Sequence, residues 1–416
     1  MQTPRKSLVA MATVLAGLLL SASAAFAGGP LIVRGTGAPY VWSTAAPIAY
    51  RTDNGPLSAI VSEVQAQARV LAMFNVWQNV TTSNIAYARA TNDGGNGVGF
   101  INPTGAFTGG DVDTLAEYNA VNTDCGNGVQ SPIIYDATAA IFIALGKDET
   151  SIIGFSGPCA TNASQIVAGI AVMNGLFQDG IDTPANPELT AALFDAAFIH
   201  EFGHFSGLDH SQINVNCFAA PPCSADDLEG LPTMFPYLLV DSQGVLSDDD
   251  KAWISRLYPA ATFATTHGTI TGTVFFSDGL SHAQFVNVIA RRVNAGANEA
   301  RRNAVSVSSG FRARVSRGNS INDPTGDNSG SVAAGDIGYF EIPVPAGSYM
   351  LEVESFDPNF TGGSNIGGWP YDSPIAMPGT APAPIGPIAV GAGAMMPDNN
   401  ITLIGTDPRF DQFEGP

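Results

Sequence analysis

The sequence predicts an α+β fold, in which a region of mixed strands and long helices is followed by an antiparallel β-sandwich. Up to about residue 260, segments with helical spacing of apolar residues alternate with strand-like segments. From Gly268 onwards the helical periodicity disappears, and short strand-like runs follow one another. The chain of 416 residues is also longer than one typical domain, so we expect two folded units.

The first 27 residues have the composition of a signal peptide. Arg5 and Lys6 precede an apolar run over residues 8–20, and small residues at Ala25 and Ala27 fit the recognition positions of signal peptidase. The run is short for a membrane span, and no later stretch stays apolar for long enough to cross a bilayer. We therefore expect a secreted protein, extracellular or periplasmic, without a membrane span.

The charge of the chain is strongly acidic. Removal of the signal peptide takes away two positive charges and changes the formal net charge from −20 to −22. Nucleic acids and anionic membranes both bind basic patches, so this charge argues against either as a partner. The oligomeric state does not follow from the charge or composition.

The four cysteines, Cys125, Cys159, Cys217 and Cys223, are an even number in a chain expected to be exported, which favours two disulfides. Three pairings are possible. We predict Cys217–Cys223, which closes a tight loop, and Cys125–Cys159, which staples a long insertion. Zinc ligation by the cysteines is the alternative, although their spacing matches no familiar zinc module.

Several elements of the first region follow from the spacing of apolar residues. Residues 58–80 predict a helix, since Ile60, Val64, Leu71 and Phe74 recur at helical spacing. Strands are predicted over residues 40–50, 84–89, 141–145 and 166–174.

Residues 103–132 are rich in Gly, Asn, Thr and Asp and lack periodicity, which predicts a long loop. The carboxylates of Asp111, Asp113 and Glu117 offer oxygen ligands for Ca²⁺ there. The full spacing of a calcium-binding loop is absent, so a calcium site and an ordinary polar loop both stay open for this segment.

Three of the five histidines, His200, His204 and His210, lie close together in the sequence. His200 and His204 are four residues apart, so on a helix they lie on one face and both reach one metal ion. Gly207 allows the chain to turn back and bring in His210 as a third ligand. Three neutral imidazoles leave the fourth position of a tetrahedral zinc ion open, as in catalytic sites. Glu201 then lies beside the metal without ligating it, which suits a general base.

The helix that carries this motif has a predicted start and a predicted buried face. Asn186 is a suitable N-cap, and Pro187 suits the first helical position. Phe194, Phe198 and Phe202 recur at four-residue spacing and should anchor the helix to the core. Ordinary surface or core histidines are the alternative interpretation. That interpretation explains a single His-x-x-x-His pair better than a whole pattern in a chain poor in histidine.

The complete string from His200 to His210 resembles the zinc signature of the metzincin metallopeptidases, His-Glu-x-x-His-x-x-Gly-x-x-His. Ser211, directly after the third histidine, is similar to the matrixin branch of that family. The resemblance implies a metzincin-type catalytic domain over residues 28–259, with one catalytic Zn²⁺ and a water molecule activated by Glu201. It also implies that the substrate is a protein or peptide whose peptide bonds are hydrolysed.

Two further features resemble matrixins. Met234, followed by Pro236, is similar to the Met-turn, whose methionine lies beneath the zinc site. Residues 246–258 resemble the last helix of the catalytic domain, so the resemblance covers about residues 37–259. In that family the strand before the active-site helix is the sheet edge along which substrate binds. The resemblance assigns this role to Gly169, Ile170, Ala171 and Val172.

After a linker over residues 260–267, residues 268–416 are predicted to form the β-sandwich. Strands are predicted over residues 269–276, 285–292, 338–342, 348–354 and 401–404. Turn-rich motifs of this region, among them Gly-Tyr-Phe-Glu-Ile-Pro, resemble the carboxypeptidase regulatory-like, transthyretin-type domains attached to many secreted proteins.

An arginine cluster lies in the middle of the β-sandwich region: Arg291, Arg292, Arg301, Arg302, Arg312, Arg314 and Arg317. A solvated strand face is the simpler explanation for so many like charges. The alternative is a docking patch for an acidic surface, such as that of the first region.

The sequence thus predicts a secreted zinc-dependent endopeptidase with a C-terminal β-sandwich. The alternative is a non-catalytic secreted adhesin, or a carbohydrate- or protein-binding module, that works through the β-sandwich. The three intact histidine ligands and Glu201 favour the enzyme.

Overall fold

The computed structural model describes residues 28–183, 186, 188–215, 223–284, 286–293, 303–313, 330–354 and 381–405. Its helices are α1 (Glu63–Gln78), α2 (Leu115–Gly126), α3 (Ala140–Ala144), α4 (Ala191–Phe205), α5 (Ala225–Glu229), α6 (Asp248–Leu257) and α7 (Phe263–Thr266). Its strands are β1 (Val41–Trp42), β2 (Ile48–Thr52), β3 (Tyr87–Arg89), β4 (Pro132–Asp136), β5 (Gly154–Thr161), β6 (Gln165–Asn174), β7 (His267–Phe275), β8 (Asn287–Arg292), β9 (Ala304–Ser308), β10 (Tyr339–Pro345), β11 (Gly347–Glu354), β12 (Ile385–Val390), β13 (Met395–Met396) and β14 (Ile401–Thr402). This mixture of helices and sheets confirms the α+β class. None of these helices combines the length and apolar character needed to cross a membrane.

The first region is built on one sheet with helices on both faces. Strands β1, β6, β4, β2 and β3 follow one another in parallel, and β5 pairs antiparallel with β6. Successive side chains of a strand point to opposite faces. Accordingly, Ile133 and Met173 join the core with α1 and α4, whereas Ile134 and Val172 join a second cluster with α2 and α3. The histidine motif on α4 therefore lies on the same face of the sheet as α1.

Helix α1 has a different buried face from the predicted one. It begins at Glu63, where Ser62 and Gln65 form a capping box, and not at residue 58. Its buried residues are Ala66, Val70, Phe74 and Trp77. Of the residues whose spacing predicted the helix, Ile60, Val64 and Leu71 are 59%, 70% and 52% exposed, and Ile60 precedes the helix. The helix therefore packs through a face on which only Phe74 was part of the predicted pattern.

The prediction of a continuous loop over residues 103–132 is wrong, because this segment contains helix α2. The Thr114 hydroxyl accepts a hydrogen bond from the backbone N–H of Glu117, and the Glu117 carboxylate accepts one from the N–H of Thr114. Only Tyr118, Val121 and Cys125 are buried on α2. An apolar stripe this narrow gives little periodic signal in the sequence.

The three carboxylates considered for calcium do not meet at one point. Glu117 is engaged in the cap of α2, and Asp111 lies against Asp53. Within the described ranges, the only group of three or more side chains placed to hold a metal ion is a histidine triad. The structure therefore does not support a calcium site at Asp111, Asp113 and Glu117.

The predicted strand over residues 141–145 is instead helix α3. The Asp136 carboxylate accepts hydrogen bonds of 2.8 and 2.9 Å from the backbone N–H groups of Ile141 and Phe142. These bonds satisfy donors that the first turn of a helix leaves without a partner, and so they favour helix over strand. The predicted strand over residues 40–50 also differs, since it is split into β1 and β2.

Two sheets form the C-terminal region. One contains β10, β7, β13 and β14, and the other contains β12, β11, β8 and β9 in that order. Buried side chains from both sheets, such as Phe340 and Val288, belong to one core, as in a β-sandwich. Pairing is antiparallel except for β13 and β14, which run parallel to β7. The segment predicted as a linker, residues 260–267, contains helix α7, and β7 already begins at His267.

The predicted Cys125–Cys159 disulfide is present and joins helix α2 to strand β5. The Cα atoms lie 5.7 Å apart, and the two cysteines are 34 residues apart in sequence. Cys223 is also disulfide-bonded, whereas its predicted partner, Cys217, lies outside the described residues.

Replacing Cys125 and Cys159 together by serine should lower the free energy of unfolding by about 3–4 kcal/mol. The reason is that the unfolded chain regains the entropy that closing a loop of this length removes. Denaturant unfolding of the double variant and of the wild type, both under oxidising conditions that keep the disulfide of Cys223, measures the loss. Peptide mapping that links Cys125 to a cysteine other than Cys159 would contradict the pairing.

Candidate metal centre

Helix α4 begins later than predicted. The hydroxyl of Thr190 accepts a hydrogen bond of 3.1 Å from the Leu193 N–H, so Thr190 is the N-cap in place of Asn186. Pro187, predicted for the first turn, lies outside the described residues. The late start leaves helix α4 long enough to carry both histidines on its final turns.

The inner face of α4 is fixed in the core, which directs its histidines to the other side. The predicted anchors are fully buried: Phe194, Phe198 and Phe202. The ring of Phe202 stacks on Phe74 of α1 with the ring centroids 3.7 Å apart. In addition, the indole N–H of Trp77 donates to the backbone carbonyl of Ile199 at 2.8 Å. Rotation of α4 would break all of these contacts, so the orientation of His200 and His204 follows from packing.

A tight turn after α4 returns the chain to the metal-binding face. Gly207 has φ +87°, a backbone conformation that residues other than glycine rarely adopt. The Leu208 N–H donates to the Gly203 carbonyl at 2.9 Å, which closes the end of the helix. The N-terminal segment supports this turn, since the Leu31 N–H donates to the Gly207 carbonyl at 2.8 Å. The turn brings His210 opposite the two helical histidines.

The three histidines converge through their Nε2 atoms. These atoms are separated by 2.9 Å (His200 to His210), 2.9 Å (His204 to His210) and 3.1 Å (His200 to His204). The Nδ1 atoms of His200 and His204 lie 2.8 and 2.9 Å from backbone carbonyl oxygens, so each Nδ1 carries the proton. Their Nε2 atoms then present lone pairs to each other. Lone pairs so close together fit a shared cation, and the triad could therefore hold a metal ion.

Burial keeps the three imidazoles uncharged. It lowers the pKa of His200 to about 4 and that of His204 to about 3. The pKa of His210 also falls well below its usual value, because of burial and the two neighbouring imidazoles. Neutral imidazole is the form that ligates a metal, so the triad is competent to bind at neutral pH.

Glu201 lies on α4 next to the triad and is 8% exposed. Its Oε2 atom is buried and has no hydrogen-bond partner within the described part of the chain. Burial raises the pKa of this carboxyl to about 8, and the ammonium group of Lys147 opposes the rise. A cation at the triad would favour the ionised form. A buried carboxyl oxygen without a hydrogen-bond partner could accept a proton.

Met234 packs directly beneath α4. It is buried, and its sulfur lies so close to Gly203 that no side chain fits between them. The Met234 carbonyl accepts a hydrogen bond of 2.7 Å from the Ser211 N–H, directly after His210. Met234 therefore contacts both α4 and the segment that follows His210.

Sequence reasoning missed the groups that orient the triad. The backbone carbonyl of Thr233 is the partner of His200 Nδ1, and that of Leu208 is the partner of His204 Nδ1. Asp250 accepts hydrogen bonds from the backbone N–H groups of Thr233 (2.9 Å) and Met234 (3.1 Å). Backbone carbonyls leave no trace in a sequence, and Asp250 is one of three successive aspartates in the first turn of α6 that the sequence does not distinguish.

The prediction that β6 forms the sheet edge along which substrate binds is wrong, because β6 does not lie at the edge of the sheet. The predicted residues are Gly169, Ile170, Ala171 and Val172. Ala171 and Val172 pair with β4 on one side and with β5 on the other, so β6 is an inner strand. The edge strand is β5, which the sequence did not reveal because its residues include glycine, serine and proline. On β5, Gly154 faces Glu201, and a Cβ atom at Gly154 would lie 2.9 Å from the Glu201 side chain.

No protein-family model matches this chain, and no curated protein or solved structure matches it significantly.

Gly203→Ala should lower the free energy of unfolding by about 1–3 kcal/mol, because the added methyl group overfills the packed core next to the triad. A Cβ atom at this position would overlap the Met234 sulfur and lie 2.9 Å from the Trp77 ring. Gly244→Ala is the control, since its nearest neighbour would lie at an ordinary 3.7 Å. Thermal unfolding compares the two variants, and equal melting temperatures would show that Gly203 is not packed in this way.

Proposed function

We propose that this protein is a secreted zinc-dependent endopeptidase of the matrixin-like metzincins. The observation that carries the proposal is the convergence of three imidazole Nε2 atoms within 3.1 Å, next to the unpartnered carboxylate oxygen of Glu201. Three neutral nitrogen ligands with one position left open are typical of catalytic zinc sites. The signal-peptide pattern of residues 1–27, which lie outside the described residues, supports secretion.

The chemistry divides between the metal ion and the residues of the chain. When bound, zinc held by three imidazoles polarises a carbonyl group and lowers the pKa of a coordinated water towards neutrality. Glu201 accepts the proton of the attacking water and passes it to the amine that leaves. The carbonyl of Thr233 keeps His200 in the tautomer whose Nε2 is free to ligate.

Strand β5 provides a docking edge for the substrate. Of the described strands, only β6 pairs with it, so its other edge can form a ladder with an extended peptide. Gly154 of β5 touches Glu201, so a peptide paired with β5 passes close to the general base. This edge accepts many sequences because backbone groups supply the hydrogen bonds.

The experiment that tests the proposal is cleavage of casein or gelatin by the full chain, with zinc and with a chelator. Glu201→Gln should bind zinc as the wild type does but cleave a hundredfold to ten-thousandfold more slowly, on the order expected for loss of a general base. Metal analysis of the same samples is the control for loading. Near-native turnover of Glu201→Gln would refute the role of Glu201, and zinc-independent cleavage would refute the zinc mechanism.

His204→Ala should weaken zinc binding as well as cleavage, because only two nitrogen ligands remain. His267→Ala is the matched control, since His267 is also buried but lies outside the triad. Competition with a chelator measures the dissociation constant of zinc in each variant. Equal zinc affinity in the two variants would reject the three-histidine site.

A further inference from the structure

The segment directly after the third histidine, residues 211–215, lies between the metal centre and the β-sandwich. On one side, the Ser211 N–H is bonded to the Met234 carbonyl. On the other side, the Ser211 hydroxyl lies 3.3 Å from the hydroxyl of Ser306 on β9. Both serines are fully buried. The connection between His210 and the Met-turn therefore also contacts the C-terminal region.

Strand β8 holds the rest of this segment. The Asn287 side-chain amide donates to the Gln212 carbonyl at 3.2 Å, and Arg291 Nη1 donates to Asn214 Oδ1 at 2.9 Å. Between these bonds, Ile213 packs in a buried cluster with Ile289 and Ala304 of the β-sandwich. Every residue from Ser211 to Asn214 thus has a partner on β8 or β9.

Arg291 is a fixed donor. Its guanidinium group pairs with the carboxylates of Glu352 (2.7 Å) and Glu354 (2.5 Å) on β11. A guanidinium held by two carboxylates loses little further freedom when it binds Asn214. Arg291 therefore fits neither interpretation of the arginine cluster, because it is not a solvated charge and its donors are not available to an outside partner. Arg301, Arg302, Arg314 and Arg317 of the predicted cluster lie outside the described residues.

The same interface continues onto helix α6. The Ser306 N–H donates to Asp249 Oδ1 at 2.7 Å, and the Ser306 carbonyl accepts from the Trp253 indole N–H at 2.7 Å. At its far end, Glu341 of β10 pairs with Arg256 of α6. Asp249, Trp253 and Ser306 are buried, so separation of the two regions would leave their hydrogen-bonding groups unsatisfied.

We propose that the β-sandwich supports the metal centre from outside: β8 and β9 hold residues 211–214 and thereby keep His210 at the position where its imidazole meets those of His200 and His204. This inference rests on the proposed function, since it presumes that the triad binds zinc. It differs from the view of the β-sandwich as an independent binding module. Groups that orient metal ligands change metal affinity by about tenfold to a hundredfold when they are removed, so the support is measurable through zinc binding.

Asn214→Gly in the full chain tests the proposal. Asn214 has φ +65°, which glycine adopts freely, so the backbone is kept while Arg291 loses its acceptor. Asp398→Gly is the matched control, because Asp398 has φ +59° but lies in the connection between β13 and β14. We expect Asn214→Gly to raise the dissociation constant of zinc about tenfold and to change the visible spectrum of the cobalt-substituted protein. Asp398→Gly should change neither.

A double-mutant cycle isolates the contact, since Asn214 also donates to the Asp227 carbonyl at 3.4 Å. Arg291→Met should weaken zinc binding, and its combination with Asn214→Gly should weaken it by less than the product of the two effects. Arg292→Met, on the next residue of β8, is the control. Wild-type zinc affinity and cobalt spectrum in Asn214→Gly would overturn the proposal. Failure of the wild type itself to bind zinc would overturn the proposed function instead.

Discussion

Three lone pairs directed at one point are unfavourable unless a cation lies between them, and the structure around the triad is organised by this constraint. The repulsion has to be resisted by covalent and packing restraints whenever the metal is absent. Two backbone carbonyls hold the Nδ1 protons of His200 and His204, so neither ring can turn its N–H inwards to relieve the repulsion. The stacked rings of Phe202 and Phe74 prevent α4 from rotating away. The centre is therefore preorganised for metal by contacts that do not involve metal.

Helix α6 joins the metal centre to the β-sandwich through two adjacent carboxylates. Asp250 accepts the N–H groups of Thr233 and Met234, and Asp249 accepts the N–H group of Ser306. Both carboxyls are buried, and burial raises the pKa of each, while the backbone donors oppose that rise. One turn of helix thus carries the restraints on residues 233–234 and on the interface, so neither can shift without disturbing the other.

The sequence predicted the parts of the site that depend on local spacing. His200, His204 and Glu201 follow from a helix with ligands four residues apart, and Gly207 marks the turn that returns His210. Residues whose role depends on non-local pairing were not predictable: strand β5, the carbonyl of Thr233 and the contacts of Asn214 arise only when distant segments meet. Helix α2 was missed for a different reason, since only three of its residues are buried. Periodic spacing of apolar residues arises where one face of a helix is buried, so a helix with few buried residues shows little periodicity in its sequence.

The Cys125–Cys159 disulfide gives the edge strand a dependence on compartment. Strand β5 carries a register irregularity between Pro158 and Ala160, and Cys159 lies at that point. A strand interrupted there has fewer ladder bonds to β6, so the covalent link to α2 supplies part of its restraint. Disulfides form and persist in oxidising surroundings and are reduced in the cytosol. The part of β5 around Cys159 therefore gains its covalent restraint only in oxidising surroundings.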